Sequence, residues 1–459
     1  PAVTTTDNNS YSHNYGVESY LARINYGFKS RYYIDASWRT DGSSRFHPSD
    51  RWGHFWSVGA SWRISEEQFM ENPRQWLDNL TLKVSYGVQG NDNLGTYYAW
   101  QGLYDYTWPN ATDAGAFVDK LENRKVTWEK NGNLNAGIEA TMFGGRLGVS
   151  VEYYNRKTRD MLLNSPLPIS TGFTGFNDNV GSLRNQGLEV SLRGTILDKR
   201  DFRWDATLMG SFNRNKVLSL TGGQDVITSG IRVIEVGRPI YTFYLPKTAG
   251  VDPATGKQLY YAYWTQTVND EGTLVNTRCD EYITDNVAMA TLSKYYHESR
   301  EPKLFGSIGS TFTILKNIDV SFLTTYSIGG WVYDGLYNGS MYVQYAGNNW
   351  HKNAKRRWQK PGDKTDVPML EVGGSYATTS NSLIDASYFA IKNITVGYTL
   401  PKRWLKKIDI ESLRIYATLD NIAMFNHMDG MDPQYNFTGS VAYSYTPSRV
   451  IAFGIDLNF

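Results

Sequence analysis

The chain has 459 residues, with 46 Lys and Arg against 45 Asp and Glu, and a formal net charge of +1 at pH 7. This balance excludes the polybasic surface of a nucleic-acid-binding protein, so we expect no nucleic acid partner. A single cysteine, Cys279, excludes an internal disulfide framework and a cysteine-rich metal site. No stretch approaches the roughly 18 to 20 apolar residues of a membrane-spanning helix, which excludes a helical membrane protein and leaves strand-based classes open.

Alternation of apolar and polar residues recurs along the chain and predicts strands, because successive side chains of a strand point to opposite faces. The clear strands are predicted at 19–28, 31–40, 55–64, 80–88, 134–142, 147–154, 188–196, 202–212, 304–315, 318–326, 387–400, 413–419 and in the last twelve residues. Two weaker strands are predicted near 239–249 and 257–265. In 387–400 the apolar parity slips, which predicts a β-bulge at Lys392-Asn393.

The last strand is amphipathic and ends on an aromatic residue. Its apolar parity comprises Ile451, Phe453, Ile455, Leu457 and Phe459. This pattern is typical of the closing strand of a transmembrane β-barrel, and the last strand of a soluble sandwich is the alternative. The 33 tyrosines and 14 tryptophans fit the aromatic girdles of a barrel or a carbohydrate-binding surface.

Short and long connections alternate along the chain. The short ones are predicted at 29–30, 65–78, 144–145, 198–201, 316–317 and 401–411. The long ones are predicted at about 90–129, 158–180, 216–303, 333–385 and 425–447. Outer-membrane barrels have short periplasmic turns and long extracellular loops, whereas a sandwich has no reason for this asymmetry. The pattern therefore predicts an all-β, transmembrane antiparallel β-barrel with the five long stretches as extracellular loops.

Charged residues such as Glu139 and Arg414 lie on the polar parity of these strands. They suit a wet lumen better than a packed core, and we expect them to pair across strands or to hold a plug. The predicted strands number about fifteen, an odd count. Because bacterial single-chain barrels have even counts, we expect further strands outside this chain, N-terminal to it or in another chain.

Several segments taken together carry a family resemblance. They are Arg39-Thr40-Asp41-Gly42-Ser43-Ser44-Arg45-Phe46, Trp62-Arg63-Ile64-Ser65-Glu66-Glu67, Ser85-Tyr86-Gly87-Val88-Gln89-Gly90-Asn91, Glu152-Tyr153-Tyr154-Asn155-Arg156-Lys157-Thr158, Asn185-Gln186-Gly187-Leu188-Glu189 and Lys392-Asn393-Ile394-Thr395-Val396-Gly397-Tyr398. In this order, over residues 1–459, the chain resembles the C-terminal part of the barrel of SusC/RagA-like TonB-dependent outer-membrane transporters of Bacteroidetes.

The resemblance implies a barrel of about 22 strands in the outer-membrane lipid, with an N-terminal plug domain and a TonB box that this chain lacks. It implies a SusD-like surface lipoprotein as a lid, and active import driven by TonB, ExbB and ExbD through the missing N-terminal part. Oligosaccharides are the expected substrate. A peptide importer of the same family and a passive porin or adhesin are the alternatives, and a soluble glycan-binding β-protein is a weaker one.

No catalytic constellation stands out, so we expect no enzyme activity and no cofactor. The run Val268-Asn269-Asp270-Glu271-Gly272 has too few carboxylates for a metal site. The candidate substrate-binding residues are aromatic and amide side chains of the long loops, which could stack on sugar rings or bond to them, or else pack the loops. They are Trp100, Tyr104, Trp108, Trp331, Tyr342, Asn349 and Trp350. The terminal Phe459 resembles the signal read by the barrel-assembly machinery.

Overall fold

The computed structural model describes residues 12–106, 113, 115–220, 225–341, 349–371, 376–406, 410–428, 431–434, 438–441 and 445–459. In chain order the strands are β1 (Val17–Phe28), β2 (Tyr32–Ser43), β3 (Trp52–Arg63), β4 (Leu77–Asn91), β5 (Leu103–Asp105), β6 (Phe117–Lys120), β7 (Glu129–Met142), β8 (Leu147–Arg159), β9 (Leu162–Pro166), β10 (Gly175–Asn179), β11 (Ser182–Lys199), β12 (Phe202–Ser219), β13 (Val226–Ser229), β14 (Arg232–Glu235), β15 (Thr242–Pro246), β16 (Thr248–Val251), β17 (Gln258–Val268), β18 (Leu274–Thr284), β19 (Lys294–Ser299), β20 (Leu304–Ile314), β21 (Ile318–Ile328), β22 (Trp331–Asp334), β23 (Leu383–Asp385), β24 (Tyr388–Thr399), β25 (Ser412–Asn426), β26 (Ser440–Val441) and β27 (Val450–Asn458).

The helices are short: α1 (Val287–Leu292), α2 (Gly335–Met341) and α3 (Lys402–Leu405). Single 3-10 turns occur at Ile64–Glu66, Gln68–Met70, Pro73–Gln75, Ile169–Thr171, Lys352–Arg356 and Ser380–Ser382. Within the described ranges, no helix has the length and apolar character needed to cross a membrane.

One large sheet contains thirteen of the described strands, in the order β1-β2-β3-β4-β7-β8-β11-β12-β20-β21-β24-β25-β27. These are the strands predicted from clear alternation, so the all-β class and the antiparallel sheet are confirmed. The expected count of about fifteen included the two weaker strands, which do not join this sheet in the described part of the chain. The segments 239–249 and 257–265 contribute β15, β16 and β17 to smaller sheets instead.

The chain forms two compact units. The first comprises Pro1–Ala140, Glu152–Gln186 and Lys216–Asp225, and the second comprises Thr141–Val151, Gly187–Asn215 and Val226–Phe459. In the first unit, in-register pairing builds apolar rows across β1 to β4. One such row runs through Ala22, Trp38, Trp56 and Val88. The opposite face is polar, where Lys83 forms a 2.6 Å ion pair with Glu139.

The second unit has the same division of faces. An apolar row crosses four strands through Val320, Val396, Ala417 and Phe453. On the polar face, the Arg414 guanidinium donates to both oxygens of Asp319 at 3.0 and 2.6 Å, and to Asp456 at 3.3 Å. Glu139 and Arg414 therefore both pair across strands.

The β-bulge predicted at Lys392-Asn393 is confirmed. On one side of β24, the register passes from Asn393 directly to Ile391 opposite Leu323 and Thr324 of β21, so Lys392 has no partner there. On the other side, β25 also departs from regular pairing, and Asn421 has a positive φ of 51°. The extra residues restore the apolar parity on both sides of the irregularity.

The connections of the large sheet are short at one end of its strands and mostly long at the other. The short ones span 29–31, 64–76, 143–146, 200–201, 315–317 and 400–411. The connections at the other end of the strands span 44–51, 92–128, 160–181, 220–303, 329–387 and 427–449. Two short turns use positive φ at non-glycine pairs, Lys29-Ser30 and Leu315-Lys316, which matches the strand twist of a type I′ hairpin.

The long connections carry the smaller sheets. Residues 220–303 hold the sheets β13-β14-β15-β19 and β16-β17-β18, and a third sheet has the order β23-β22-β26. This third sheet joins two connections, because β26 of 427–449 pairs in parallel with β22 of 329–387. The Tyr333 N–H donates to the Gly439 carbonyl at 2.7 Å beside this pairing.

Candidate substrate-binding cavity

Two long connections of the second unit enclose a cavity of about 560 Å³. Connection 220–303 contributes residues at the start of β15 and along β19, and connection 329–387 contributes the start of β22 and residues near β23. The lining residues are Arg238, Pro239, Thr242, Tyr296, His297, Glu298, Ser299, Trp331, Ser380 and Leu383. The volume falls in the range of small-molecule sites, about 300–1,000 Å³.

A buried apolar cluster supports the cavity. Phe243, Leu245 and Tyr333 form this cluster, and Trp331 and Leu383 pack against it. Phe243 is fully buried directly after Thr242, which lines the cavity. The tryptophan is therefore held by packing on one side while it lines the cavity on the other. Because its side chain is already fixed, little side-chain entropy is lost when the flat face of a ligand binds to it.

A guanidinium stacked on an aromatic ring forms one wall. Arg238 lies 3.8 Å from the centre of the Tyr296 ring, a cation–π geometry. Its Nε donates to Glu235 at 2.6 Å. Burial, and then the Glu235 carboxylate, raise the pKa of the Tyr296 hydroxyl. The tyrosine therefore stays protonated at neutral pH, and its hydroxyl donates to the Glu235 carboxylate.

His297 adds a titratable group to the lining. Its Nε2 lies 3.2 Å from the Leu245 carbonyl oxygen, an acceptor, which places the hydrogen on Nε2. Burial lowers the pKa of His297 from its ordinary value, and nearby Lys247 lowers it further. The imidazole is therefore neutral at pH 7 and leaves Nδ1 as an acceptor.

The lining combines two aromatic rings with hydroxyl, imidazole, carboxylate and guanidinium groups. Flat rings offer stacking surfaces, and the short polar side chains offer directional hydrogen bonds. This combination suits a polyhydroxylated ligand. Across the described residues, no group of three or more His, Cys, Asp or Glu side chains is arranged to hold a metal ion.

Of the residues predicted to bind substrate, Trp331 lines the cavity. Asn349 and Trp350 are exposed and lie outside its lining. Trp100 and Tyr104 belong to the first unit. Trp108 and Tyr342 lie outside the described residues.

The two described aromatics of the first unit differ in their surroundings. Trp100 packs against a buried cluster that includes Phe46 and Trp128, and its ring meets the His47 ring edge-on at 5.0 Å. Tyr104 is 58% exposed on the β5–β6 hairpin. Substrate contact by either residue stays a prediction.

Sequence reasoning missed most of the lining. Arg238, Tyr296, His297 and Ser299 lie in the stretch 216–303, where no clear alternation was found. The one available signal was the cluster of aromatic and polar residues in Lys294-Tyr295-Tyr296-His297. Sequence alone did not place this cluster beside Trp331, because the two belong to different connections.

Comparisons with known proteins give the family. The family model "TonB dependent receptor-like, beta-barrel" matches residues 1–422. TonB-dependent receptor P26 of Formosa agariphila is 29% identical over 96% of this chain and 46% of its own length. TonB-dependent receptor SusC of Bacteroides thetaiotaomicron is 28% identical over 96% of this chain and 43% of its own length.

Solved structures agree with these relatives. The structure of the RagAB peptide transporter superposes with a TM-score of 0.83 at 30% identity, over 97% of this chain and 48% of that chain. The RagAB peptide importer in its "open-open" state gives a TM-score of 0.78 at 28% identity. This chain thus spans about half the length of the proteins it matches. The chain belongs to the TonB-dependent receptor-like β-barrel family of the bacterial outer membrane, as a SusC/RagA-like member.

Proposed function

We propose that the protein containing this chain imports oligosaccharides across the outer membrane, driven by TonB, together with a SusD-like surface lipoprotein. The observation that carries the proposal is the cavity between connections 220–303 and 329–387, with Trp331 in its wall. Family membership supports transport over enzyme activity. In this proposal the long connections face the cell exterior and meet the substrate first.

The substrate class follows from the lining. Trp331 provides a ring face for a sugar ring, and Thr242, Ser299 and Ser380 provide small hydroxyls that can bond to sugar hydroxyls. Arg238 is already stacked on Tyr296 and ion-paired with Glu235. Binding of a neutral sugar therefore does not bury the Arg238 charge without a partner.

The lipoprotein lid and the energy source come from the resemblance to SusC/RagA-like transporters. A lid over the long connections would close the cavity from the outside, and the TonB–ExbB–ExbD complex would act on a plug outside this chain. A passive porin or adhesin is the alternative. Uptake of the bound glycan should stop when TonB is deleted, and undiminished uptake in that strain would favour the passive alternative.

Import of peptides is the second candidate. The solved relatives at 30% identity are described as a peptide transporter, and the cavity contains both Glu298 and Arg238, which can bond to peptide amides and termini. Oligosaccharides remain our first choice because the Trp331 ring and the hydroxyls of Thr242, Ser299 and Ser380 border one cavity.

Calorimetric titration of the detergent-purified, full-length transporter–lipoprotein complex against a glycan panel and a peptide panel tests the substrate class. We expect heat with at least one glycan, and the Trp331→Ala variant should weaken that binding by about ten-fold or more, since a central aromatic anchor carries much of the affinity. Binding of peptides alone would overturn the oligosaccharide proposal.

Trp404→Ala is the matched control for this substitution. Trp404 is 54% exposed on α3, in the short connection 400–411. It lies at the opposite end of the strands from the connections that form the cavity, so its removal should leave glycan affinity unchanged. An equal loss in both variants would mean that general destabilisation, rather than ring stacking in the cavity, explains the effect.

A further inference from the structure

A β-bulge in β19 directs two neighbouring side chains to the substrate cavity. On β15, Phe243 is the one residue between two paired positions, whereas the same interval of β19 contains His297 and Glu298. Two residues opposite one define a β-bulge, and bulges re-aim side chains. In a regular strand these two side chains would point to opposite faces, but here both line the cavity. Phe243 is fully buried in the supporting apolar cluster and holds the bulge in place.

The bulge brings a negative charge into the cavity. Among the described residues that line it, Glu298 is the one carboxylate, and it has no ion-pair partner within the described part of the chain. The guanidinium of the lining, Arg238, is already paired with Glu235 at 2.6 Å. Burial lowers the pKa of His297, so its imidazole adds no charge at pH 7. Lys247 lies outside the lining and stacks on a tyrosine ring at 4.2 Å. Glu298 therefore leaves the cavity with an uncompensated negative charge.

The neighbouring groups of the lining suit a positively charged donor. Trp331 offers an indole ring, the aromatic side chain that attracts cations most strongly. His297 offers Nδ1 as an acceptor, because its Nε2–H is directed at the Leu245 carbonyl oxygen. A primary ammonium group has three donor hydrogens and no acceptor, so it matches a carboxylate, an imidazole acceptor and an aromatic ring. An acidic ligand would instead meet the like charge of Glu298.

We propose that the cavity selects oligosaccharides that carry a free amino group, with the protonated amine of an amino sugar beside Glu298 and its ring on Trp331. This inference rests on the proposed function, because it assigns a charge preference to the same substrate cavity. The hydroxyls of Thr242, Ser299 and Ser380 bond to the remaining sugar hydroxyls. N-acetylation of the amine removes its charge, and with it the attraction to Glu298, while the ring and hydroxyl contacts stay. The carboxylate thus discriminates between sugars of similar shape.

Calorimetric titration of the full-length transporter–lipoprotein complex against glucosamine oligomers and N-acetylglucosamine oligomers of equal length tests this preference, in buffer that keeps the amines protonated. We expect the glucosamine oligomers to bind more tightly by about five-fold, the size of one partly exposed ion pair. Glu298→Gln should remove the preference without weakening the binding of acetylated oligomers. Glu271→Gln changes an exposed carboxylate in the β17–β18 turn of the same connection. It is the matched control and should keep the preference.

The salt dependence of the wild-type complex covers the case in which Glu298→Gln does not assemble. Raising sodium chloride from about 50 mM to about 500 mM screens an ion pair. Binding of the glucosamine oligomers should therefore weaken several-fold, whereas binding of the acetylated oligomers should change little.

The outcomes separate this inference from the proposed function. Binding of neutral glycans without a preference for the amine, or a preference that survives Glu298→Gln, would overturn the inference and leave oligosaccharide import intact. Peptides with a free lysine amine and their acetylated forms test the other source of an ammonium group. Binding of the lysine peptides with no glycan binding would overturn both the amino-sugar inference and the oligosaccharide proposal.

Discussion

At the scale of single residues, His297 connects the stability of the cavity to pH. Its pKa is lowered by burial, so the unfolded chain takes up a proton at higher pH than the folded cavity does. The stabilisation of the folded cavity by neutral His297 is fully present above the ordinary pKa of histidine, 6.5, and is lost as the pH falls below that value. We therefore expect connection 220–303 to open more readily in acid.

Limited proteolysis at pH values of about 7.5 and about 5.5 measures this opening. Cleavage within 220–303 should be faster at the lower pH in the wild type, and His297→Gln should remove most of the difference. His47→Gln, which changes a histidine outside the cavity lining, is the control. A pH effect that persists in full after His297→Gln would contradict the prediction.

Trp100 packs against a buried cluster, and its contact with substrate is still a prediction, so its structural role and its binding role have to be separated. Replacing a partly buried aromatic by alanine costs about 2 kcal/mol. We expect Trp100→Ala to increase proteolysis within connection 92–128. Glycan titration of the same variant then separates the two roles, because lost affinity with unchanged protease resistance would indicate substrate contact.

At the scale of elements, β27 ends the described sheet and carries an exposed apolar face. Phe459 is 85% exposed, so its replacement removes little packing within the chain. If this residue is the assembly signal, Phe459→Asp should lower the amount of transporter in outer-membrane fractions several-fold, while Phe459→Tyr should retain it. Quantitative immunoblotting of these fractions provides the measurement, and normal levels of the aspartate variant would refute the role.

The predictability of each element follows from how it is buried. The thirteen strands of the large sheet were found in the sequence because each has one apolar and one polar face, which produces period two. β15 is buried at four of its five positions, which weakens the period-two signal, and the segment 239–249 was therefore predicted only as a weak strand. Trp331 was found by its residue type, whereas Arg238 and His297 gain their role only from contacts between distant parts of the chain.

At the scale of the whole molecule, the connections differ in length between the two ends of the strands, and this difference predicts that the long connections face the cell exterior. In a Cys279→Ser background, Leu274→Cys places a thiol in the exposed turn region of the β17–β18 hairpin, and Lys316→Cys places one in a short turn. An impermeant maleimide added to intact cells should label the first variant and label the second only after the outer membrane is opened. The reverse pattern would overturn the assignment of the long connections to the cell exterior.

The parallel pairing of β26 with β22 bears on how such proteins can be re-engineered. Arg300 donates to the Pro433 carbonyl at 2.7 Å, and Arg232 donates to the Thr438 hydroxyl at 3.1 Å. Three connections thus share backbone and side-chain bonds. Grafting connection 329–387 alone from a relative would leave the hydrogen-bonding groups of 438–441 without their partners. Chimeras designed to change the transported substrate should therefore exchange 220–303, 329–387 and 427–449 together.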